Sequence, residues 1–312
     1  MKLINERLHI QYPFFQGGMA NIATGAFAAA CSNAGALGLI ASGGWDAEKL
    51  RAEVRTCKSL TDKPFGLNLM LMNPDADNIA KMAIEEKVPV ITTGAGNPGK
   101  YMADWKAAGI VVIPVIASVA LARRLSGEGA DAVVAEGCES GGHIGDITTM
   151  ALVPQVVDAV DIPVIAAGGI ADGRGVAAAL ALGASGCQIG TVLLASEECP
   201  IHENYKKAVV KAKDRSTVVT GRSVNAPVRV LRNQMTKAYL KAEEEGADLM
   251  TLEKFTLGSL RKAVLDGDTK NGSLMAGEIS GLVKDIRPVS DIFADLYNGA
   301  KAVISDLQSF AD

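Results

Sequence analysis

Short apolar runs recur along the chain, each ending on glycine or a small polar residue and each followed by a stretch with helical spacing. The first is Phe14-Phe15, opening on Gln16-Gly17-Gly18. Leu37 to Ala41, Phe65 to Leu71, Pro89 to Thr93, Val111 to Ala117, Ala132 to Ala135 and Val164 to Ala167 follow, and a last short run ends at Gly190-Thr191. Helices are predicted between them: Thr24 to Asn33, Asp46 as an N-cap through Cys57, Asp75 to Glu86, Lys100 to Ala108, Ser118 as a cap to Leu125, and Gly173 to Leu182. Continuous apolar runs, without polar alternation, mark parallel strands covered on both faces. Eight strand–helix pairs within about 195 residues predict an α/β fold, a TIM (β/α)8 barrel.

The alternation stops between about Cys199 and Gly272. We therefore expect a barrel built from residues 1–198 and 273–312, with a smaller, mainly helical second domain inserted at 199–272. The closing stretch, Ser290 to Phe310, reads as an amphipathic helix that packs back on the barrel.

Composition narrows the class. Hydrophobic residues make up 48% of the 312 residues and aromatics 4%, with 33 glycines, so the core is expected to be Ala, Val, Ile and Leu. A net charge of -4 and a pI near 5.6 argue against a general nucleic-acid binder. No apolar run approaches the ~18 residues of a membrane span. The opening M-K-L-I-N-E-R-L-H-I is polar where a signal peptide needs an apolar stretch. Cys31, Cys57, Cys138, Cys187 and Cys199 are odd in number and free of C-x-x-C spacing, so neither a disulfide framework nor a zinc site is indicated. The expectation is a soluble, cytoplasmic chain with reduced thiols and no metal site.

Barrel active sites lie at the carboxyl ends of the strands. Here those ends are Gln16-Gly17-Gly18-Met19, Ala41-Ser42-Gly43, Asn68, Thr92-Thr93-Gly94, Ser118, Glu136-Gly137, Gly168-Gly169 and Gly190-Thr191. Glycine and small polar residues suit a large flat ligand lying close to backbone. Carboxylate pairs or a metal would put Asp, Glu and His there. The stretch from Pro163 to Thr191 is a βαβ unit with glycine at both exits, which offers bare amides and a helix N-terminus to a phosphate. The same glycines also serve a simpler reading as tight turns that bring helix and strand together. Their place late in the barrel tips the choice toward phosphate.

One polar loop stands apart: A-E-G-C-E-S-G-G-H-I-G-D, from Ala135 to Asp146. His143 sits among glycines with no apolar face to pack in, which favours a functional role over packing. His9 and His202 read as packing or surface residues. From Ile201 to Lys241 the chain carries ten basic residues against two acidic ones, Glu203 and Asp214, a local +8. That segment is either a solvated face paired with acids such as Glu243 to Glu245, or a surface for an acidic partner or a cofactor's phosphates.

The motifs F-Q-G-G-M-A, G-L-N-L-M-L, T-T-G-A-G-N-P, A-E-G-x-E-x-G-G-H-I-G, P-V-I-A-A-G-G-I-A-D-G and G-S-L-M-A-G-E-I-S-G-L-V resemble the FMN-dependent enoyl-acyl carrier protein reductase II family of bacteria. That family belongs with the nitronate monooxygenases, or 2-nitropropane dioxygenases. The resemblance runs from about Ile4 to Tyr297, and T-T-G-A-G-N-P together with the late M-A-G favours the reductase branch. Glu278 departs from it, since glutamine is expected there in the reductases.

The resemblance implies FMN on the barrel top, its phosphate on Gly168, Gly169, Gly190 and Thr191. The ring would be edged by Gly17, Gly18, Met19, Asn68 and Glu136, beside Gly141 and Gly142, with Met275, Ala276 and Gly277 closing the pocket. It implies that FMN carries hydride from NADH or NADPH to the β-carbon of a trans-2-enoyl-acyl carrier protein, the last step of fatty acid elongation. His143 would position the thioester or supply a proton. A homodimer is expected from the resemblance alone, and a monovalent cation requirement, which members of the family can show, stays open. The alternative within the superfamily is oxidation of alkyl nitronates by a nitronate monooxygenase. More distant alternatives are a non-catalytic flavin-binding barrel and a barrel enzyme acting on a sugar phosphate.

Overall fold

The computed structural model describes residues 2–309. Helix α1 (Ile4–Leu8) precedes strand β1 (Phe14–Gln16). The barrel then runs through α2 (Gly25–Asn33), β2 (Gly38–Ala41), α3 (Ala47–Leu60), β3 (Phe65–Met70), α4 (Ala76–Glu85), β4 (Val90–Gly94), α5 (Gly99–Ala107), β5 (Val111–Ile116), α6 (Val119–Gly127) and β6 (Val133–Glu136). A two-residue strand β7 (Gly142–His143) interrupts the next connection. After it come α7 (Thr149–Val157), β8 (Val164–Ala167), α8 (Gly173–Ala181) and β9 (Gly186–Ile189).

Eight of these strands form one parallel sheet in the order β1-β9-β8-β6-β5-β4-β3-β2, and a Phe15–Leu37 bridge joins its two ends. The sheet is thus a closed barrel, as the apolar runs predict. Two predicted caps are in place: Asp46 accepts from the Lys49 amide at 2.8 Å, and Ser118 accepts from the Leu121 amide at 3.3 Å.

The closing seam rests on little main-chain pairing. Gln16 compensates from a fully buried position: its Nε2 donates to the Leu39 carbonyl (3.2 Å), and its Oε1 accepts from the Leu39 amide (3.3 Å). A primary amide thereby stands in for a missing stretch of ladder.

Side-chain alternation sorts the two faces of the barrel. Leu37, Leu39, Val90, Ile113, Val134, Ile165 and Ala167 fill the interior, while Cys187, Ile189, Leu67 and Leu69 pack outward under the helices. Ile4 and Leu8 of α1 close the amino-terminal end, with the Ile4 amide donating to the Ser185 carbonyl at 2.9 Å. The same parity turns Asn68, Thr92, Glu136 and Gln188 inward at the carboxyl-terminal end, so the apolar core is capped by a polar layer.

The inserted segment carries α9 (Glu203–Val210), a hairpin of β10 (Thr217–Thr220) and β11 (Val228–Leu231), then α10 (Gln234–Glu244), α11 (Leu249–Thr256) and α12 (Ser259–Arg261). Its helices match expectation. The hairpin was not predicted, because Arg229 sits where an apolar strand residue would be expected. Tyr205, Val209, Leu231, Ala263 and Val264 join the main core, and Met235, Tyr239 and Leu252 form a small core of the segment's own. Helix α13 (Val289–Gln308) returns to the barrel and buries Val289, Ile292, Phe293, Leu296 and Ala300. The predicted end of this helix, Phe310, lies outside the described residues.

Candidate active site

The two strand ends chosen for a phosphate lie side by side, since β8 and β9 pair through Ala167 and Gln188. Gly168 and Gly169 take φ values of +94° and +72°, which a side chain would strain. A Cβ on Gly168 would also meet the Gly137 carbonyl at 2.9 Å, whereas Gly190 has open space around it. The amides of Gly169, Gly190 and Thr191 find no acceptor among the described residues. Three partially exposed main-chain donors at adjacent strand ends make a cradle for an anion.

Around this cradle the structure gathers the other predicted residues in contacting pairs. Gly17 lies against Gly190, its amide donating to the Ile189 carbonyl at 2.8 Å. Gly18 is packed so closely on Asn68 that a Cβ would overlap that side chain, and Asn68 in turn donates to Thr92 Oγ1 at 2.8 Å. Met19 is half-buried and accepts from the Ile22 and Ala23 amides through its carbonyl. Gly141 lies on the backbone of Ala276, where a Cβ would come within 2.7 Å. Gly142 faces the Met275 sulfur, and the Gly277 amide donates to Thr191 Oγ1 at 2.9 Å. The late M-A-G segment therefore joins the histidine connection to the β9 rim.

Glu136 ends β6 at the same level of the barrel. Burial raises its carboxyl to about 7, opposed in part by the nearby Ser140 hydroxyl, which stops short of a well-formed hydrogen bond. At neutral pH this carboxyl is divided between its protonated and ionised forms.

His143 is not in a loop, which corrects the sequence expectation. It pairs with Val228 of the insert's hairpin as Gly142 pairs with Arg229, so β7, β11 and β10 form a three-stranded antiparallel sheet. The side chain is exposed, as expected, yet the protein around it removes enough water to lower its pKa below the ordinary 6.5. It is accordingly a neutral imidazole at pH 7, able to donate one N–H. The other histidines carry no such role: His202 Nδ1 caps α9 by accepting from the Asn204 amide at 3.0 Å, and His9 occupies a left-handed turn after α1.

Several residues that build the site escaped sequence reading. Glu139 receives the amide and hydroxyl of Thr149 at 2.9 Å, and its carbonyl accepts the Glu278 amide at 2.9 Å. Arg229 is buried: its Nε and Nη2 donate to the Cys138 carbonyl at 3.1 and 2.9 Å, and Nη1 pairs with Glu278 Oε1 at 2.8 Å. Tyr205 donates to the Met275 carbonyl at 2.8 Å. Gln188 leaves its buried Oε1 without a partner at the barrel mouth. Strand parity was the available signal for Gln188, a polar residue facing inward at the end of a strand. No local signal marked the others.

A cleft of about 690 Å³ lies between Asn97, Lys100, Lys106 and Glu128, and none of the strand-end residues above lines it. No group of three or more His, Cys, Asp or Glu suited to a metal occurs among the described residues. The five cysteines are free. No helix among the described residues is long and apolar enough to cross a membrane.

Fold and family together define a (β/α)8-barrel oxidoreductase. The nitronate monooxygenase family model matches residues 2–299, and the chain belongs to that family. It is 32% identical to an octahydro-indene-carboxyl-CoA dehydrogenase of Rhodococcus jostii, over 93% of this chain and 92% of that protein. It is also 32% identical to a Staphylococcus saprophyticus protein named "Probable nitronate monooxygenase", over 89% and 91%. Among solved structures, FabK of Thermotoga maritima superposes with a TM-score of 0.96 at 48% identity, covering 98% of each chain. Nitroalkane oxidase of Streptomyces ansochromogenes gives 0.84 at 28% identity, covering 96% of this chain and 98% of that one.

Proposed function

We propose that the protein is an FMN-dependent enoyl-acyl carrier protein reductase that uses NADH or NADPH. The observation that carries this reading is the 48% identity, over 98% of both chains, with FabK, against 32% for the relative bearing the nitronate monooxygenase name. The contact of Met275, Ala276 and Gly277 with the histidine connection supports it, because that segment is among the motifs that resemble the reductase branch.

The residues present fit FMN: unpaired amides of Gly169, Gly190 and Thr191 for a phosphate, and Gly17, Asn68, Glu136 and the orphan Gln188 Oε1 for polar edges. When bound, FMN would supply hydride transfer between the nicotinamide and the β-carbon of the enoyl thioester. The chain's own part is orientation and charge control. Neutral His143 holds an N–H for the thioester oxygen, where negative charge builds as the β-carbon receives hydride. Because its pKa is lowered, stabilisation by hydrogen bonding suits it better than delivery of a proton from imidazolium. Met275 and the insert cover the mouth and exclude water. We further propose that residues 199–272 act as a lid domain, with acyl carrier protein as the macromolecular partner.

The test is anaerobic. NADH or NADPH should bleach the flavin of the purified protein within its turnover time, and crotonyl thioester should restore the colour. A flavin that ignores nicotinamides but is bleached by alkyl nitronate would replace this reading with nitronate oxidation, which the family match favours.

A further inference from the structure

The insert's ten basic residues do not behave alike. Lys206 is buried against the Glu197 carbonyl and Glu203; Arg222 pairs with Asp146, Arg229 with Glu278 and Lys241 with Glu245. Six cations remain without an ion pair among the described residues: Lys207, Lys211, Lys213, Arg215, Arg232 and Lys237. Three of these six, Lys211, Arg215 and Arg232, converge on a single cleft of about 270 Å³.

The cleft is built and not an accident of long side chains. Its floor is Leu231 and Leu274, both buried, with Ala212 beside them. The turn that presents Arg215 is closed by the Ser216 hydroxyl, which accepts from the Lys213 amide at 2.8 Å. Arg232 is anchored through its amide to the Ser216 carbonyl (2.8 Å) and through Nε to the Thr217 carbonyl (3.2 Å), which leaves its terminal nitrogens available. Like charges gathered in one recess repel unless an anion joins them, and a guanidinium pair with an ammonium matches the oxygens of a phosphate. The cleft also lies close to the chemistry. Val230 bridges to Met275, and the Leu231 amide donates to the Leu274 carbonyl at 2.8 Å. Arg232 is two residues beyond that bridge, about 7 Å at ~3.4 Å per strand residue.

We infer that Lys211, Arg215 and Arg232 form a phosphate-binding site for a phosphoester-bearing substrate of the enzyme, separate from the glycine cradle at β8 and β9. The class of ligand rests on the proposed reductase reading, in which a nicotinamide nucleotide and a phosphopantetheine thioester both bring a phosphoester to the mouth. The apolar floor beside three cations suits either an adenosine or a pantetheine arm.

The test is calorimetric titration of 2′,5′-ADP and of coenzyme A onto the full chain as purified, at physiological salt. Lys211→Ala/Arg215→Ala/Arg232→Ala should weaken the probe that binds by about tenfold or more, with visible spectrum and melting temperature unchanged because all three side chains are exposed. Arg232→Lys in the otherwise native chain should lose less. Binding of 2′,5′-ADP, with or without coenzyme A, assigns the site to the nucleotide; binding of coenzyme A without 2′,5′-ADP assigns it to the thioester arm. Failure of both probes to bind the native chain, or equal binding by the triple variant, overturns the site. No turnover is read, so a chain that binds a probe here but fails to reduce crotonyl thioester would overturn the reductase reading and leave the site standing.

Discussion

The two sides of the barrel mouth are made from different materials. On the β8–β9 side the donors are main-chain amides, held by strand register in a closed parallel sheet, and the residues there are glycines and a threonine. Next to it, on the connection that follows the neighbouring strand β6, the proposed reactive group is a side chain on a two-residue strand whose partner, Val228, belongs to the insert. The first inherits the rigidity of the whole barrel, while the second inherits its position from a hairpin that reaches the main core through Leu231 and is flanked by the small cluster of Met235, Tyr239 and Leu252. Cofactor binding and reactivity should therefore be separable by mutation.

The largest separation is expected at His143. His143→Ala should reduce enoyl turnover by ~10²- to 10³-fold, measured with crotonyl thioester, while the FMN content of the purified protein stays at the native ratio. Loss of FMN in this variant would show that the two sides are not independent. In the native protein, turnover should fall on acidification through the imidazole pKa, which burial lowers below the ordinary 6.5, because protonation there removes the neutral form to which the reaction is assigned. The acid limb should be missing from the residual activity of His143→Gln.

Next in size is the closing seam. Gln16→Leu leaves a buried amide and a buried carbonyl of Leu39 without partners, a destabilisation of roughly 2–4 kcal/mol. Chemical denaturation should show it as a lower midpoint, and FMN affinity and turnover should fall together, the opposite of the His143 pattern. A seam variant that kept full stability would mean that the Phe15–Leu37 bridge closes the barrel unaided.

The contrast also explains what could be read in advance. Every barrel strand was legible because a strand covered on both faces must be apolar throughout, and Gly17, Gly18, Asn68, Glu136, Gly168 and Gly190 followed from the rule that barrel sites sit at strand ends. Gly18 and Asn68 are distant in sequence but meet on one rim for that reason, whereas Gly141, Gly142 and Met275 to Gly277 were reached only through the family resemblance. The insert obeyed no such rule. β11 reads V-R-V-L, and its arginine is tolerable in a strand because the Cys138 carbonyl, 91 residues away, and Glu278 satisfy it. Such a partner is invisible to local pattern, and so was the ladder that turns the expected histidine loop into a strand.

Glu136 tests the rim through its charge. Its carboxyl, raised to about 7 by burial, lets the folded chain hold a proton that the unfolded chain releases near 4.5. Its favourable contribution is thus complete below pH 4.5 and is lost as pH rises through 7. Glu136→Gln should leave stability at pH 5 close to native and raise it at pH 8, by at most ~3 kcal/mol. Equal stability differences at both pH values would mean that the carboxyl is better solvated than its surroundings indicate.

The smallest effect distinguishes the partners of Arg229. Glu278 is half-exposed, and glutamine can still accept from Nη1 through its amide oxygen, so Glu278→Gln should change stability by no more than about 1 kcal/mol. Turnover should stay near native. Arg229→Met removes both donors from the Cys138 carbonyl and loosens the strand that pairs with Gly142 and His143. It should cost several-fold in turnover at unchanged FMN affinity, measured by flavin fluorescence, with a modest loss of thermal stability. If instead Glu278→Gln were the more damaging change, the ion pair and not the carbonyl clamp would be what ties the insert to the reactive side.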